Sequence, residues 1–385
     1  MKAIIIGGGI GGACAAIALQ RSGISTEVYE AVKVIKPVGA AISIWPNGVK
    51  CLNALGMAAP LRALAGNMAS MAYRDHLHGS ELTRFSMAPL VDAVGERPCP
   101  VARAELQAML LDTYGRERVQ FGKRVARVAQ DAHGVTAWFE DGSSATGDLL
   151  IAADGTHSVV RAEVLGYPTP RRYAGYVNWN GLVTIDEQIA PADQWTTFVG
   201  EGKRVSLMPV SGNRFYFFFD VPLPKGLAED RDSLRADLSR YFSGWAEPVQ
   251  RLIAQIDPNT TNRVEIHDIE PFSQLVSGRI ALLGDAAHST TPDIGQGGCA
   301  AMEDAIVLAH CLQNQAASVA QRLEHYQEQR VGRVKDLVLK ARKRCDITHG
   351  KDPLQTQAWY QSLARETGEH VLAGMIETIN GGPLN

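Results

Sequence analysis

The residues that most directly suggest chemistry form a run of glycines near the N-terminus. The run from Gly7 to Gly12 satisfies the pattern G-x-G-x-x-G. In this pattern Gly7 permits a tight turn, Gly9 lets a phosphate approach, and Gly12 lets a helix lie close to a strand. Glu30 follows eighteen residues later, where its carboxylate can accept hydrogen bonds from an adenosine ribose. These residues predict a dinucleotide site, against the simpler alternative of a glycine-rich turn.

The elements around this run must present it between a strand and a helix. Residues 3–6 are a short apolar, mostly β-branched run, which is typical of a buried strand. Residues 12–19 carry small and apolar side chains at helical spacing, and residues 26–30 indicate a second strand. The first thirty residues are therefore predicted to form a β-α-β unit, in which backbone N–H groups at the helix N-terminus favour a pyrophosphate.

Composition restricts the class of protein. The chain has 385 residues, of which 45% are hydrophobic and 21% charged, enough for two domains with a sizeable core. A net charge of -3 gives no electrostatic reason to expect nucleic acid or a membrane surface as partner, so a small molecule is favoured. The six cysteines are scattered without a C-x-x-C pair, which predicts reduced thiols in a cytoplasmic protein and no metal site. Neither a signal peptide nor a membrane-spanning run is expected, and the oligomeric state is left open.

The rest of the chain alternates between sheet-like and helical patterns. Residues 170–271 are rich in aromatic side chains, which predicts antiparallel strands. Residues 278–283 return to an apolar strand, followed by the loop 284–298 and a helix at about 300–312. The pattern of residues 319–344 is helical and heavily charged, as expected of a long amphipathic helix on the outside of the protein.

Two further motifs decide between NAD and FAD, which share the glycine pattern. Residues 150–161 contain Asp154 followed by glycine, and residues 278–288 contain Asp285 preceded by glycine. Both segments resemble the D-G and G-D motifs of the flavoprotein aromatic hydroxylases, the para-hydroxybenzoate hydroxylase-like group A flavoprotein monooxygenases. The resemblance implies a non-covalently bound FAD, with Asp154 among its contacts and Asp285 accepting hydrogen bonds from the ribityl hydroxyls.

The cofactor contacts implied by the resemblance include a loop and an arginine. Residues 292–298 are similar to the family's loop at the flavin ring, which makes Gly295, Gly297 and Gly298 candidate cofactor-binding residues. Arg103 matches the arginine of the family's R-x-x-L motif, near the diphosphate and ribityl chain. Taken singly, a β-turn, a helix cap or a surface cation would explain each of these features. Their occurrence together in the family's order favours FAD.

The resemblance covers roughly residues 1 to 310 and implies a fold. The expected class is α/β, with a Rossmann-like FAD-binding domain, an inserted antiparallel-sheet substrate domain and a C-terminal helical segment. The predicted borders are 1–72, 98–170 and 272–318 for the FAD-binding domain, 73–97 and 171–271 for the substrate domain, and 319–385 for the helical segment.

A reaction is implied with the fold. In the family, NADH or NADPH reduces the flavin, O₂ adds at its C4a carbon, and the resulting hydroperoxide delivers an OH group to an electron-rich substrate. Only one G-x-G-x-x-G occurs in the chain, so the nicotinamide donor is expected to bind transiently, without a domain of its own. The sequence does not distinguish NADH from NADPH. The protein contributes orientation and exclusion of water.

The residues that would hold the substrate are sought in the second domain and in the flavin loop. A predicted strand at residues 203–209 carries Arg204, and alternation along the next strand places Tyr216, Phe218 and Asp220 on one face. Asp293 puts a carboxylate in the loop next to the flavin. A solvent-facing cation and a turn cap are the alternatives for Arg204 and Asp293. We interpret His288, which follows the G-D motif, as a structural residue at the start of a helix.

With these residues included, the chain is more similar to the FAD-dependent urate hydroxylases of bacterial purine catabolism than to the phenol hydroxylases. Urate is a planar monoanion at neutral pH, and the resemblance implies 5-hydroxyisourate as product. Arg204 would bind it by charge-assisted hydrogen bonds, Tyr216 would stack on it or bond to it, and Asp293 would orient Arg204. Two alternatives remain open: a salicylate- or hydroxybenzoate-type hydroxylase, and a flavin-binding redox sensor without hydroxylation.

Overall fold

The protein is described by a computed structural model for residues 1–34, 41–228 and 230–384. Its strands, numbered in chain order, are β1 (Lys2–Ile6), β2 (Ser25–Glu30), β3 (Ala41–Ile44), β4 (Ser70–Asp75), β5 (Glu81–Ser86), β6 (Cys99–Ala102), β7 (Val119–Phe121), β8 (Val125–Gln130), β9 (Val135–Phe139), β10 (Ser144–Gly147), β11 (Leu149–Ala152), β12 (Arg171–Thr184), β13 (Gln194–Gly200), β14 (Lys203–Val210), β15 (Arg214–Pro222), β16 (Asn262–Ile269), β17 (Val276–Ser277) and β18 (Ile280–Leu282).

The helices are distributed along the whole chain. They are α1 (Ile10–Arg21), α2 (Pro46–Ala54), α3 (Ala58–Leu64), α4 (Ala88–Val94), α5 (Arg103–Tyr114), α6 (Val160–Leu165), α7 (Leu234–Tyr241), α8 (Glu247–Gln255), α9 (Asp285–His288), α10 (Gly297–Leu312), α11 (Val319–Thr348), α12 (Pro353–Leu363) and α13 (Glu369–Asn380). Single 3₁₀ turns lie at Arg116–Arg118 and Pro292–Ile294.

A six-stranded sheet with the order β17-β18-β11-β1-β2-β7 contains the glycine run. Its neighbouring strands are parallel, except that β17 is antiparallel to β18. The apolar side chains of β1 and β11 are fully buried on both faces, as expected for a parallel sheet covered by helices. The β1-α1-β2 unit confirms the prediction for the first thirty residues, and α1 extends two residues further at each end than its pattern indicated.

The second large sheet has seven strands, in the order β16-β12-β15-β14-β13-β4-β5. All of its neighbours are antiparallel except β13 and β4, which run parallel. The predicted alternation along β15 is confirmed: Phe215, Phe217 and Phe219 lie in the core beneath α7 and α8. Tyr216 points to the other face, where it packs against a separate apolar cluster. This strand therefore separates a structural core from the face that carries the predicted substrate residues.

The two sheets fit the predicted class, an α/β protein with an inserted, largely antiparallel sheet and a helical C-terminal segment. The predicted border after residue 72 falls within β4, because β4 pairs along its length with β13 of the larger sheet. Such pairing between strands more than 100 residues apart leaves no local sign in the sequence. The domain borders themselves stay a proposal.

Helix α11 is 30 residues long and begins with a capping box formed by Ser318 and Gln321. It is amphipathic, as predicted, and ends four residues beyond the predicted end at about residue 344. Its inner face lies deeper than a helix on the outside of the protein would, because Tyr326 and Arg330 are at most 2% exposed. Among the described residues, none of the helices is long and apolar enough to cross a membrane.

Candidate active site

The glycine run has the steric properties that a phosphate-binding turn requires. Gly7 has φ +108°, and a Cβ atom there would overlap the carbonyl oxygen of Ala153. A Cβ atom on Gly12 would overlap the carbonyl oxygen of Gly7, so only glycine lets α1 lie this close to β1. At Gly9, by contrast, a Cβ atom would have no heavy atom within 4 Å. Gly9 therefore faces open space at the start of α1, which leaves room for a phosphate group.

Glu30 lies at the end of β2 with its carboxylate against the glycine run. Its Oε2 accepts a hydrogen bond from the backbone N–H of Gly8 at 2.7 Å, and its Oε1 accepts from Val32 at 2.9 Å. These bonds fix the carboxylate beside the turn, where the sequence predicted it. Its bond to a ribose remains a prediction.

Asp154 follows β11 and carries a buried carboxyl group whose oxygens differ. Oδ2 accepts from the backbone N–H of Val159 at 2.9 Å and so caps the turn before α6. Oδ1 is buried and has no hydrogen-bond partner among the described residues. Burial raises the pKa of this carboxyl group. Oδ1 of Asp154 thus lies next to β11 as a buried acceptor without a donor. A ligand with hydroxyl or amide donors, such as FAD, would supply that donor.

Asp285 and Arg103 each begin a helix near this sheet and are exposed. Neither side chain makes a hydrogen bond or an ion pair within the part of the chain that the structure describes. Arg161 holds the backbone around Asp285, since its Nη1 donates to the carbonyl oxygen of Ala286 at 3.1 Å. An unpaired carboxylate and an unpaired guanidinium are free to bind the ribityl and diphosphate groups, as predicted for them.

The predicted flavin loop ends in the N-terminus of α10. Gly295 adopts a left-handed conformation with φ +64°, and a Cβ atom there would lie 2.6 Å from Nε1 of Trp45. This Nε1 is buried and has no hydrogen-bond partner among the described residues. Gly297 and Gly298 form the first turn of α10, three residues before the predicted helix start. The loop thus combines an unpaired donor with a helix N-terminus, which suits the polar edge of a flavin ring.

A network of buried charges holds α10 against α11; we call it the helix-junction network, formed by His288, Glu303, Asp304, Arg330 and Arg333. Arg330 donates to Asp304 at 2.7 Å and to Glu303 at 2.9 Å. Arg333 donates to Glu303 at 2.9 Å, and His288 Nε2 lies 2.7 Å from Asp304. Two cations therefore match two carboxylates before His288 is counted.

This network explains His288 as a structural residue, as interpreted from the sequence, although His288 is the last residue of α9 and does not lie at the start of a helix. Burial acts to lower the pKa of the His288 imidazole, but the Asp304 carboxylate outweighs burial and raises it. For Asp304, burial acts to raise the pKa, while His288 and Arg330 hold it at about 2. Asp304 also accepts from the backbone N–H of Gly284, so the network positions the residue before Asp285.

Arg204 lies on β14 and is bound between two carboxylates. Its Nε and Nη2 lie 2.7 Å from Oδ2 of Asp220, and its Nη2 lies 3.3 Å from Oδ1 of Asp293. Its Nη1 makes no hydrogen bond to a described residue, and the side chain is 11% exposed. The predicted pairing of Arg204 with Asp293 is thus present, and one nitrogen of the guanidinium is left for a ligand.

Asp293 contacts residues from three other parts of the fold: β14, β12 and the end of α11. Its Oδ1 lies 3.3 Å from Nε2 of His349, at the end of α11, and its Oδ2 accepts from the hydroxyl of Tyr176 on β12 at 3.0 Å. Burial acts to raise the pKa of Asp293, but His349 and Arg204 hold it at about 2. Asp293 is therefore an ionised carboxylate that orients Arg204. We call the cluster of Arg204, Asp220, Asp293 and His349 the pocket network.

Tyr216 stands on β15 beside the pocket network and forms part of an aromatic wall. Burial raises the pKa of its hydroxyl group, so the phenol stays protonated. The positive charges of Arg204 and Arg103 act in the opposite direction and lower the pKa of the same hydroxyl, but burial outweighs them. The wall continues through Trp195, whose ring centroid lies 6.0 Å from that of Trp45 at the flavin loop.

The structure brings Arg204 and Asp293 into contact, and Phe218 lies between Arg204 and Tyr216, with its ring centroid 5.0 Å from Cζ of Arg204 and 5.6 Å from the ring of Tyr216. It also adds residues that the sequence analysis did not assign. Asp220 shares the face of Tyr216, and this alternation was the only signal for it. No signal in the sequence pointed to Tyr176, His349 or Trp45, because their contacts join distant parts of the chain. The predicted cofactor residues lie around the smaller sheet, and their contacts with FAD remain predictions.

Comparison with known proteins places this geometry in a family. The model of the family "FAD binding domain" matches residues 1–341. The chain is 69% identical over 384 residues to FAD-dependent urate hydroxylase of Klebsiella pneumoniae, with 100% of both chains covered. Two crystal structures of HpxO from Klebsiella pneumoniae are each 68% identical with a TM-score of 0.98 and cover 100% of this chain. One, covered to 98%, is complexed with FAD and uric acid; the other, covered to 100%, is the R204Q variant complexed with FAD.

The chain therefore belongs to the group A flavoprotein monooxygenases, the family that its motifs predicted, and it is an FAD-dependent enzyme of that family. Within the family, its similarity over the full length is to the FAD-dependent urate hydroxylases.

Proposed function

We propose that this enzyme hydroxylates urate to 5-hydroxyisourate, with O₂ as oxidant and NADH or NADPH as transient reductant. The single observation that carries the proposal is the state of Arg204. Its guanidinium is held by Asp220 and by Asp293 of the predicted flavin loop, and its Nη1 makes no hydrogen bond to a described residue. A fixed cation with a free donor suits a planar monoanion. The name of the full-length relative and the uric acid bound to its solved relative support this choice of substrate.

The role of each pocket residue follows from its contacts. Arg204 would bind the oxygens or nitrogens of the heterocycle, and Asp293 would keep the guanidinium in place. Tyr216 would stack on the planar substrate or donate to it, since its hydroxyl is protonated. The wall of Tyr216, Trp195 and Trp45 would exclude water from the reacting side of the substrate.

FAD supplies the redox chemistry when it is bound, and the residues around the smaller sheet would hold it. We propose that the glycine run and Glu30 bind its adenosine diphosphate half, with Arg103 at the diphosphate. Asp285 would bind the ribityl hydroxyls, and the loop that ends in α10 would face the ring. The smaller sheet would thus be the cofactor side and the larger sheet the substrate side. A cytoplasmic location stays a prediction.

An oxidation assay with several candidate substrates tests the proposal. The purified yellow protein is mixed with NADH or NADPH and with urate, xanthine, salicylate or 3-hydroxybenzoate, and the consumption of reductant and O₂ is followed together. We expect urate to stimulate both strongly, with one hydroxylated product formed per reductant consumed. No stimulation by urate, with the flavin present, would overturn the proposed substrate.

The same assay separates the second candidate, a salicylate- or hydroxybenzoate-type hydroxylase. Arg204 would bind the carboxylate of such a substrate as readily as the urate anion. Tight coupling with salicylate and none with urate would establish this alternative. If no aromatic acid or purine stimulates O₂ uptake, the flavin-binding redox sensor becomes the better description.

A further inference from the structure

Both ring nitrogens of His349 face hydrogen-bond acceptors. Nε2 lies 3.3 Å from the carboxylate oxygen Oδ1 of Asp293, and Nδ1 lies 3.4 Å from the carbonyl oxygen of Gly202. A neutral imidazole has one N–H donor and one acceptor nitrogen, so it can satisfy only one of these two oxygens. The doubly protonated imidazolium donates to both.

The surroundings of the ring also favour a positive charge. His349 is the residue that follows α11, where the unpaired carbonyl groups of a 30-residue helix give the negative end of its dipole. Its ring stacks on Tyr176 with centroids 3.8 Å apart and planes at 20°, and the face of an aromatic ring attracts a cation. The side chain is only 4% exposed, which keeps water from replacing these contacts.

The charge of the pocket network depends on this one residue. With His349 neutral, Arg204 alone faces the two carboxylates Asp220 and Asp293, and the network carries one net negative charge. With His349 protonated, two cations match two carboxylates. Other titratable groups near this cluster are the hydroxyls of Tyr176, Tyr216 and Tyr360 and the thiol of Cys345. Burial raises the pKa of all four, so they add no charge. The charged side chains nearby have partners of their own, since Glu201 pairs with Lys203, Asp346 pairs with Lys351, and Arg344 lies over the ring of Trp359.

We propose that His349 carries a proton in the free enzyme and is the second cation of the pocket. It is a positioning residue, because it acts on the substrate through Asp293 and Arg204. An anionic substrate then meets a network without net negative charge, and Arg204 remains available to it. When His349 loses its proton, the network repels the anion. This inference rests on the proposed function only in taking an anion as substrate.

The consequence is a linkage between substrate binding and protonation. If an anion binds more tightly to the form with protonated His349, then its binding favours protonation by the same factor. Urate remains a monoanion across the neutral and mildly alkaline range, so a change in its affinity there reports on the protein. We expect the affinity to fall roughly tenfold as the pH rises from about 6.5 to about 9, given the size of one charge near the pocket.

Calorimetric titration of the FAD-loaded enzyme with urate, in pairs of buffers that differ in ionisation enthalpy, measures both quantities. The wild-type enzyme is expected to take up about half a proton per urate in the middle of this change in affinity, which is the most that a tenfold linkage allows, and almost none at about pH 6.5. His349→Gln is expected to bind weakly at every pH, with a flat profile and no proton uptake. His267→Gln is the matched control. His267 also contacts a backbone carbonyl and a tyrosine ring, but in the same sheet away from the pocket network. It should behave as the wild type.

The outcomes separate this inference from the proposed function. A flat wild-type profile without proton uptake overturns the role of His349, even if His349→Gln folds poorly. A His349→Gln enzyme that keeps the full pH dependence overturns it as well. If urate fails to bind at any pH, the proposed substrate is wrong. The same titration with the salicylate anion then tests His349 by the same criteria.

Discussion

The helix-junction network and the pocket network are built from the same residue types but differ in how their charges are matched. In the helix-junction network, Arg330 and Arg333 balance Glu303 and Asp304 before His288 takes a proton. In the pocket network, Arg204 faces two carboxylates and needs His349 for balance. Both are buried, so each unmatched charge is costly in free energy.

The exposure of the two arginines differs as well. Among the described residues, Arg330 and Arg204 both bond through Nε and Nη2 and leave Nη1 without a hydrogen-bond partner. The side chain of Arg330 is 2% exposed and that of Arg204 is 11% exposed, so Arg204 is the more accessible of the two. A network that is matched and closed contributes stability, whereas one that is nearly matched and open on one side can bind a ligand. The two networks should therefore respond differently to the same kinds of substitution.

The largest expected effect is on stability, from Arg330→Met. Removing this guanidinium leaves Glu303 and Asp304 buried with fewer partners, and breaking a buried ion network in this way costs about 3–5 kcal/mol. Denaturant unfolding of the FAD-loaded enzyme measures the loss. Lys335→Met, at an exposed position of the same helix, should change the free energy of unfolding by less than about 0.5 kcal/mol. A loss below about 1 kcal/mol for Arg330→Met would remove the contrast between the networks.

Arg204→Gln should affect catalysis more than stability. Glutamine keeps an amide donor for Asp220, which also keeps its hydrogen bond from Asn178, whereas methionine has no donor for Glu303 or Asp304. The loss of stability should therefore be smaller than for Arg330→Met. The substrate loses its fixed cation, and misplacement can lower a geometry-dependent step about a hundredfold. We expect NADH consumption with urate to continue, with more hydrogen peroxide and less product per NADH.

The ratio of product to NADH measures this effect. Arg263→Gln, which removes a cation stacked on Trp179 in the same sheet, should keep the wild-type ratio. If Arg204→Gln hydroxylates urate with wild-type coupling and affinity, Arg204 is not the substrate cation.

His288→Gln should change the pH dependence of stability. The pKa of His288 is raised in the folded state by Asp304, so its contribution is fully present below about pH 6.5, the ordinary histidine range. That contribution is lost as the pH rises through the folded-state pKa. The free energy of unfolding, measured from about pH 6 to about pH 9, should therefore decline less in His288→Gln than in the wild type. Its urate affinity should keep the wild-type pH profile, which is the reverse of the expectation for His349→Gln. Parallel stability profiles for wild type and variant would contradict this role.

The smallest effect is expected for Ser318→Ala. The change removes the capping box at the start of α11 and should cost about 1 kcal/mol of stability. The pocket network lies at the other end of the helix, so urate affinity and coupling should not change. A clear loss of affinity would mean that the pocket responds to any weakening of α11, and the two networks could not be treated separately.

The parts of the fold that were predicted from the sequence depend on local patterns. The glycine run, the adjacent strands and Glu30 lie within thirty residues, and each has a spacing that only a β-α-β unit explains. The alternation along β15 likewise separated core from pocket, because side chains on a strand change face at every residue. Arg204 and Asp293 were found because each lies in a motif or strand with its own signal.

What the sequence did not reveal depends on contacts between distant segments. His349 and Asp293 are separated by 56 residues, and Tyr176 and Asp293 by 117. Neither pair has a spacing rule, and a histidine after a charged helix is ordinarily a surface residue. The burial of the inner face of α11 was not predicted for the same reason. Arg330 on that face is buried because it pairs with Glu303 and Asp304, and the sequence does not show this pairing. The pairing of β4 with β13, which lies across the predicted border after residue 72, left no local sign in the sequence either.

Helix α11 fixes the distance between the two networks. Arg330 and His349 are nineteen residues apart, which is about 28 Å along a helix. Inserting or deleting one residue between them would rotate His349 by about 100° around the helix axis and turn it away from Asp293, while Arg330 kept its carboxylates. Inserting or deleting a whole turn would restore the direction in which the His349 side chain points but would still displace its ring by about 5.4 Å. The family model ends at residue 341, eight residues before His349. The number of residues between Arg330 and His349 therefore fixes where the ring of His349 lies relative to Asp293.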